Sequence, residues 1–111
     1  MVCHAVIPAA GVGKRFGADV AKQYLQLAGR SIQQHMLDRL SAMPEISQIV
    51  VAISAEDTLA KALSYAQPER LRFVPGGAER MDSVLAGLQA LCDGGAADSD
   101  WVLVHDVARP L

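Results

Sequence analysis

Three short apolar runs, at residues 4–8, 49–53 and 101–104, and a short strand candidate at residues 71–74 alternate with stretches of helical periodicity, and this alternation constrains the fold more than any other feature of the 111-residue chain. A run that is apolar without a period-two break reads as a strand covered on both faces, which is the environment of a parallel sheet. Between the runs, Ser31 is placed to cap a helix carrying Ile32, Met36, Leu37, Leu40 and Met43 on one stripe, with Pro44 as its stop. A second helix is expected over residues 56–66. The strongest helical pattern carries Met81, Val84, Leu85, Leu88 and Leu91 at spacings of three and four. Residues 94–100 form a loop, and residues 101–104 a last buried strand. Strands alternating with helices require right-handed crossovers, so the expected fold is α/β: a Rossmann-like, doubly wound, mainly parallel sheet. No helix follows the fourth strand, so residues 1–111 read as the first part of one larger domain, truncated there.

Such sheets bind ligands at the carboxyl ends of their strands. That rule selects three loops: residues 8–22, 75–83 and 105–110. The charge distribution agrees with the choice. The chain carries a formal net charge of -2, but residues 1–30 hold Lys14, Arg15, Lys22 and Arg30 against Asp19 alone, +3, leaving -5 for the remainder. The positive charge therefore sits beside the first glycine loop. The overall balance offers no broad basic face for nucleic acid. With 51% hydrophobic and 20% charged residues the chain is not of disordered composition. Cys3 and Cys92 lack the spacing of a disulfide framework or a zinc site and read as small core residues. No apolar stretch approaches the ~20 residues of a membrane span, and the first cation follows the first apolar segment, the reverse of a signal peptide. The expected address is the cytoplasm.

In the first loop Gly11 and Gly13 let the backbone approach an anion, with Lys14, Arg15 and Lys22 beside it. The dinucleotide fingerprint fails at Phe16 and the Walker pattern fails at Arg15, so what remains is a polyphosphate cradle or a glycine turn with solvated charges. In the second loop Gly76 and Gly77 precede a helix start, where unpaired amides can meet a base edge or a phosphate; the same glycines serve equally as a structural turn, and Glu79 and Asp82 as N-terminal charges. In the third loop Asp106 ends a strand where an α/β enzyme holds Mg²⁺, or caps the loop. Arg109 is suited to an acceptor phosphate or to an ion pair. His105 reads as a core histidine by strand parity; His4 and His35 have no role legible in the sequence.

Taken together, residues 8–15 (Pro-Ala-Ala-Gly-Val-Gly-Lys-Arg), Lys22-Gln23-Tyr24-Leu25, Gly76-Gly77 with Glu79-Arg80 and residues 82–88, and His105-Asp106 with Ala108-Arg109-Pro110 resemble the signatures of the 2-C-methyl-D-erythritol 4-phosphate cytidylyltransferases of the non-mevalonate isoprenoid pathway. They occur in order across essentially the whole chain. The resemblance implies a sheet of the nucleotidyltransferase type and transfer of CMP from CTP to methylerythritol phosphate with release of pyrophosphate. It implies that Arg15 and Lys22 are catalytic and that Ala9, Ala10, Gly11, Gly13 and Lys14 hold the nucleotide. Gly77 and Ser83, with the Ala9 and Ala10 backbone, would read cytosine. Asp106 would lie near Mg²⁺ and the acceptor, and Arg109 would meet the acceptor. Two departures stand out. Ala21 replaces the proline usual before the lysine, and family members are considerably longer, the further portion supplying a homodimerisation arm, part of the acceptor pocket and further catalytic residues. Three other readings stay open: a ribitol 5-phosphate cytidylyltransferase, a nucleotide-binding module without turnover, and, more distantly, a nicotinamide-binding domain. Fusion to the later cyclodiphosphate synthase of the pathway is open as well.

Overall fold

The computed structural model describes residues 2–10, 26–27, 30–55, 57, 60 and 63–105. Apolar, β-branched segments form its main sheet. Strand β1 spans Cys3–Pro8, β4 Ile46–Ile53, β5 Leu71–Pro75 and β6 Trp101–Val104, ordered β5-β4-β1-β6 with every pairing parallel. Two short strands, β2 (Gln26–Leu27) and β3 (Arg30–Ser31), make a separate antiparallel ladder. Helix α1 (Ile32–Ser41) links that ladder to β4, and α2 (Arg80–Asp93) links β5 to β6. Because β6 returns to the far side of β1, the strand order reverses between β1 and β6, and the crevice at their carboxyl ends is the topological switch point.

The two faces of the sheet are covered by different elements, as doubly wound folds require. On one face Ala5, Ile7, Ile49, Val51 and Ile53 pack with Met36, Leu37 and Leu40 of α1. On the other, Val6 and Val50 pack with Ala90 and Leu91 of α2. Strand β4 begins three residues before the apolar run at 49–53, because Ile46 pairs with Cys3 while the polar Ser47 and Gln48 hide the start.

Four expectations need correction. Residues 63–66 are not helical, and Asp57 and Ala60 lie outside any helix; the rest of the helix expected over 56–66 lies outside the described residues. The physical reason is that α1 satisfies the backbone of this segment. Gln34 donates to Ser64 O (2.8 Å), Asp38 accepts from Ala66 N–H (2.8 Å), and buried Gln33 donates to the Tyr65 hydroxyl (3.1 Å), which donates to Ala60 O (2.6 Å). Cys92 is exposed on α2 rather than in the core, and Cys3 is half-buried.

Third, α2 is rolled relative to its apolar stripe. Its buried residues are Ser83, Gly87, Ala90 and Leu91, whereas Met81 is 62% and Leu85 56% exposed. Small residues face the sheet because the helix runs very close to β1: a Cβ on Gly87 would lie 2.4 Å from Val6 Cγ1. Fourth, β6 is exposed over its first three residues, and Val104 is half-buried against the Val6 cluster. Trp101 is 62% exposed and Leu103 40%, where a strand buried on both faces was expected.

The ends of α1 and β4 are tied by Arg70, whose guanidinium donates to the carbonyls of Ser41, Met43 and Ile46. These include carbonyls that the helix C-terminus leaves unpaired. Among the described residues no helix is long and apolar enough to cross a membrane.

Candidate functional site at the carboxyl end of the sheet

Parallel strands deliver all their carboxyl ends to one edge, and the backbone beyond three of them is interlocked there. Beyond β1, Ala9 N–H donates to Ala52 O of β4 (2.7 Å); beyond β5, Gly76 N–H donates to Ile53 O (2.7 Å). Beyond β6, His105 N–H donates to Val6 O (3.1 Å), extending the ladder with β1 by one residue. These bonds hold the Ala9-Ala10 turn, the Gly76-Gly77 turn and His105 at the rim of the sheet.

The first two turns meet directly. A Cβ placed on Gly76 would lie 2.8 Å from Ala10 Cβ and 2.6 Å from Ser83 Oγ, so only glycine admits this approach of strand-end turn, neighbouring turn and helix. Ser83 is fully buried in the first turns of α2, and its hydroxyl accepts the Gly77 N–H at 3.3 Å. It therefore anchors the glycine turn from below. The helix entrance is organised by Asp82, whose carboxylate accepts the Glu79 N–H (3.2 Å). This is the helix-start role open to that residue, and it satisfies a donor the helix cannot. A cavity of about 280 Å³ adjoins the turn between the ends of β4 and β5, with Ser54, Asp57, Phe73 and Pro75 in its wall.

Of the site residues expected from the sequence, Ala9, Ala10, Gly77 and Ser83 are thus brought together. Gly11, Gly13, Lys14, Arg15, Lys22, Asp106 and Arg109 lie outside the described residues. Among the described residues no group of three or more His, Cys, Asp or Glu side chains could hold a metal ion.

His4 is the polar residue that sequence reasoning passed over. It is 2% exposed on β1, and its Nε2 lies 2.8 Å from Asp100 Oδ2, which also accepts the Ala97 N–H at 2.9 Å. The hydrogen bond from His4, then that from Ala97, lowers the Asp100 pKa below its ordinary value. His4 Nδ1 is buried without a partner. The signal was present but long-range: His4 pairs in register with Val102, two residues after Asp100.

The profile of the IspD family, 2-C-methyl-D-erythritol 4-phosphate cytidylyltransferase, matches residues 3–111. The chain belongs to the IspD family. It is 52% identical over 105 residues to the 2-C-methyl-D-erythritol 4-phosphate cytidylyltransferase of Ectopseudomonas mendocina, covering 95% of this chain and 45% of that protein. It is 50% identical over 106 residues to that of Photobacterium profundum, covering 96% and 44%. A crystal structure of 4-diphosphocytidyl-2C-methyl-D-erythritol synthase superposes with TM-score 0.80 at 33% identity, over 96% of this chain and 46% of its own. The bifunctional IspDF of Campylobacter jejuni superposes with TM-score 0.74 at 27% identity, over 96% and 26%. The chain thus spans less than half the length of the curated relatives it matches and corresponds to their N-terminal portion.

Proposed function

We propose that this chain is the nucleotide-binding portion of a cytidylyltransferase that transfers CMP from CTP to 2-C-methyl-D-erythritol 4-phosphate in the cytoplasm, as a step of non-mevalonate isoprenoid precursor synthesis. The observation that carries the reading is the contact of Ala10, Gly76 and Ser83 at the carboxyl edge of a sheet whose relatives bear that name. In the reaction a phosphate oxygen of the acceptor bonds to the α-phosphorus of CTP. The bond from that phosphorus to the α–β bridging oxygen breaks in line, and pyrophosphate leaves with the electron pair. Little covalent work falls to the protein, so positioning and charge stabilisation dominate.

In this reading the Gly76-Gly77 backbone is the surface that the cytosine edge meets, and Ser83 holds that backbone in place. The turn at Ala9 to Gly13, with Lys14, cradles the phosphates. Arg15 and Lys22 offset the charge that grows at the α-phosphorus. Asp106 and Arg109 lie towards the acceptor. Mg²⁺ in phosphoryl-transfer sites is held by one or two carboxylates together with substrate phosphates, and Asp106 is the carboxylate we assign to it; when bound, the ion would neutralise phosphate charge.

The test begins with calorimetric titration of the chain with CTP and Mg²⁺, using UTP, ATP and NAD as controls. Selective CTP binding supports the reading, and equal binding of UTP overturns the base assignment. In the protein restored to the relatives' length, pyrophosphate release should require methylerythritol phosphate rather than ribitol 5-phosphate. Arg15→Ala or Lys22→Ala should each remove about 3 kcal/mol of transition-state stabilisation, roughly 100-fold in rate. Undiminished turnover by either variant overturns its catalytic role.

A further inference from the structure

Two consecutive side chains in the first turn of α2 grip the Gly76-Gly77 turn. Ser83 accepts the Gly77 N–H at 3.3 Å, and its Oγ would lie 2.6 Å from a Cβ on Gly76. Asp82 lies against Gly77 itself: a Cβ there would be 2.1 Å from Asp82 Cβ, 3.0 Å from its Cγ and 3.1 Å from its Oδ2. The same Oδ2 accepts the Glu79 N–H at 3.2 Å. The Asp82 carboxylate therefore spans the turn, packed on Gly77 at one end and bonded to Glu79 at the other. The bond to Glu79 alone is an ordinary helix-start contact; the packing on Gly77 is what joins Asp82 to the site. Asp82, Ala78 and Glu79 are all exposed, so this bridge lies outside the core.

The peptide unit between Gly76 and Gly77 has a glycine on each side, so it can turn over without the steric cost that a Cβ imposes. Turning it over exchanges an N–H for a C=O on the surface that the cytosine edge meets in the proposed function. Cytosine and uracil differ in the same sense. Cytosine presents an acceptor at N3 with an amino donor beside it; uracil presents a donor at N3 with a carbonyl acceptor beside it. A backbone held in one orientation leaves a polar group unpaired against the wrong base, whereas a backbone free to turn over accommodates both. We propose that Asp82 is a positioning residue for base selection: by bridging Gly77 and Glu79 it keeps the Gly76-Gly77 peptide in one orientation, and so keeps the site selective for cytosine over uracil nucleotides. This rests on the proposed nucleotide site and adds to it the side chain that fixes its selectivity. Asp82 acts through the backbone and not by contact with the base.

The test compares the 111-residue chain with its Asp82→Ala and Asp82→Asn variants. Alanine removes the bridge; asparagine keeps a side chain of the same size against Gly77 and an oxygen that accepts the Glu79 N–H. With no nucleotide present, amide exchange at Glu79 should accelerate about 10-fold in Asp82→Ala, the worth of one hydrogen bond, and stay near wild type in Asp82→Asn. In calorimetry the ratio of CTP to UTP affinity should fall about 10-fold in Asp82→Ala and recover in Asp82→Asn, while circular dichroism stays unchanged. An unchanged ratio in Asp82→Ala, an equal loss of affinity for both nucleotides, or an asparagine variant as unselective as the alanine one would each overturn the proposal. Unchanged exchange at Glu79 would overturn it without any nucleotide. A wild-type chain that binds CTP and UTP equally overturns the base assignment itself, whereas a selective wild type with an equally selective Asp82→Ala variant overturns only the role of Asp82.

Discussion

Strands β1 and β6 lie side by side, run parallel and both read as continuous apolar segments, yet they occupy opposite environments. Ala5, Val6 and Ile7 of β1 are fully buried, whereas Trp101, Val102 and Leu103 of β6 are exposed. The difference comes from what surrounds them. β1 has a strand on each side and packs with α1 on one face and α2 on the other; among the described residues β6 has one strand beside it, and α2 packs across β1, β4 and β5 instead. Apolar composition records the cover a strand is made for, while its neighbours in space decide how much of that cover is present.

Truncating one side chain in each strand separates the two environments most sharply. Ile7→Ala should destabilise the chain by about 3 kcal/mol, the cost of a cavity in a closed core. Leu103→Ala should change stability by no more than about 0.5 kcal/mol in the chain alone. Urea denaturation followed by circular dichroism measures both, and equal costs would mean that β6 is covered in solution. The close approach of α2 to β1 is probed next. Gly87→Ala should cost about 1–3 kcal/mol, because the added methyl group overlaps Val6, whereas the same change at an exposed helical position would stabilise. A neutral effect in the same denaturation experiment would mean that the helix sits farther from β1.

At the strand ends, Ser83→Ala removes the acceptor of the Gly77 N–H. It should lower stability by about 1 kcal/mol and weaken CTP binding together, with the first read from denaturation and the second from calorimetry. The smallest effect concerns the loop that leads into β6. Because the folded chain lowers the Asp100 pKa below its ordinary value of 3.8, Asp100 contributes stability that is present above that pH and is lost as pH falls through the depressed value. Asp100→Asn should therefore lose that contribution at neutral pH and converge on the wild-type stability below about pH 4, which flattens the acid limb of its stability curve. An identical acid limb in wild type and variant would show that the His4 hydrogen bond does not couple to folding.

Much of this was legible in the sequence, because the signals involved are local. The three apolar runs and the strand candidate at 71–74 became the four parallel strands, residues 101–104 without a shift in boundary, and the glycines at 76 and 77 marked the turn before α2. The helix expected over residues 56–66 does not form at residues 57, 60 and 63–66. Its apolar spacing is compatible with a helix, but Gln34 and Asp38 of α1 bind its backbone from a distance of some thirty residues, and no window along the chain contains both partners. The buried face of α2 departs from its apolar stripe for a related reason. The periodicity identified the helix, while the burial of Ser83 and Gly87 in place of Met81 and Leu85 follows from the width of the gap beside Val6. For the site, sequence motifs named Ala9, Ala10, Gly77 and Ser83 individually, but not the contact that joins Ala10 to Gly76.

The family, the parallel α/β architecture and the identity of the glycine turns follow from the order of residues alone, because strand hydropathy, helical period and turn chemistry are encoded within a few neighbouring residues. The packed fold sets the rest: α2 rests on its smallest residues, buried His4 meets Asp100, Ser83 anchors Gly77, and Trp101, Val102 and Leu103 of β6 are exposed. Each of these depends on which surfaces meet across the sheet, and packing of that kind joins residues that the chain holds far apart.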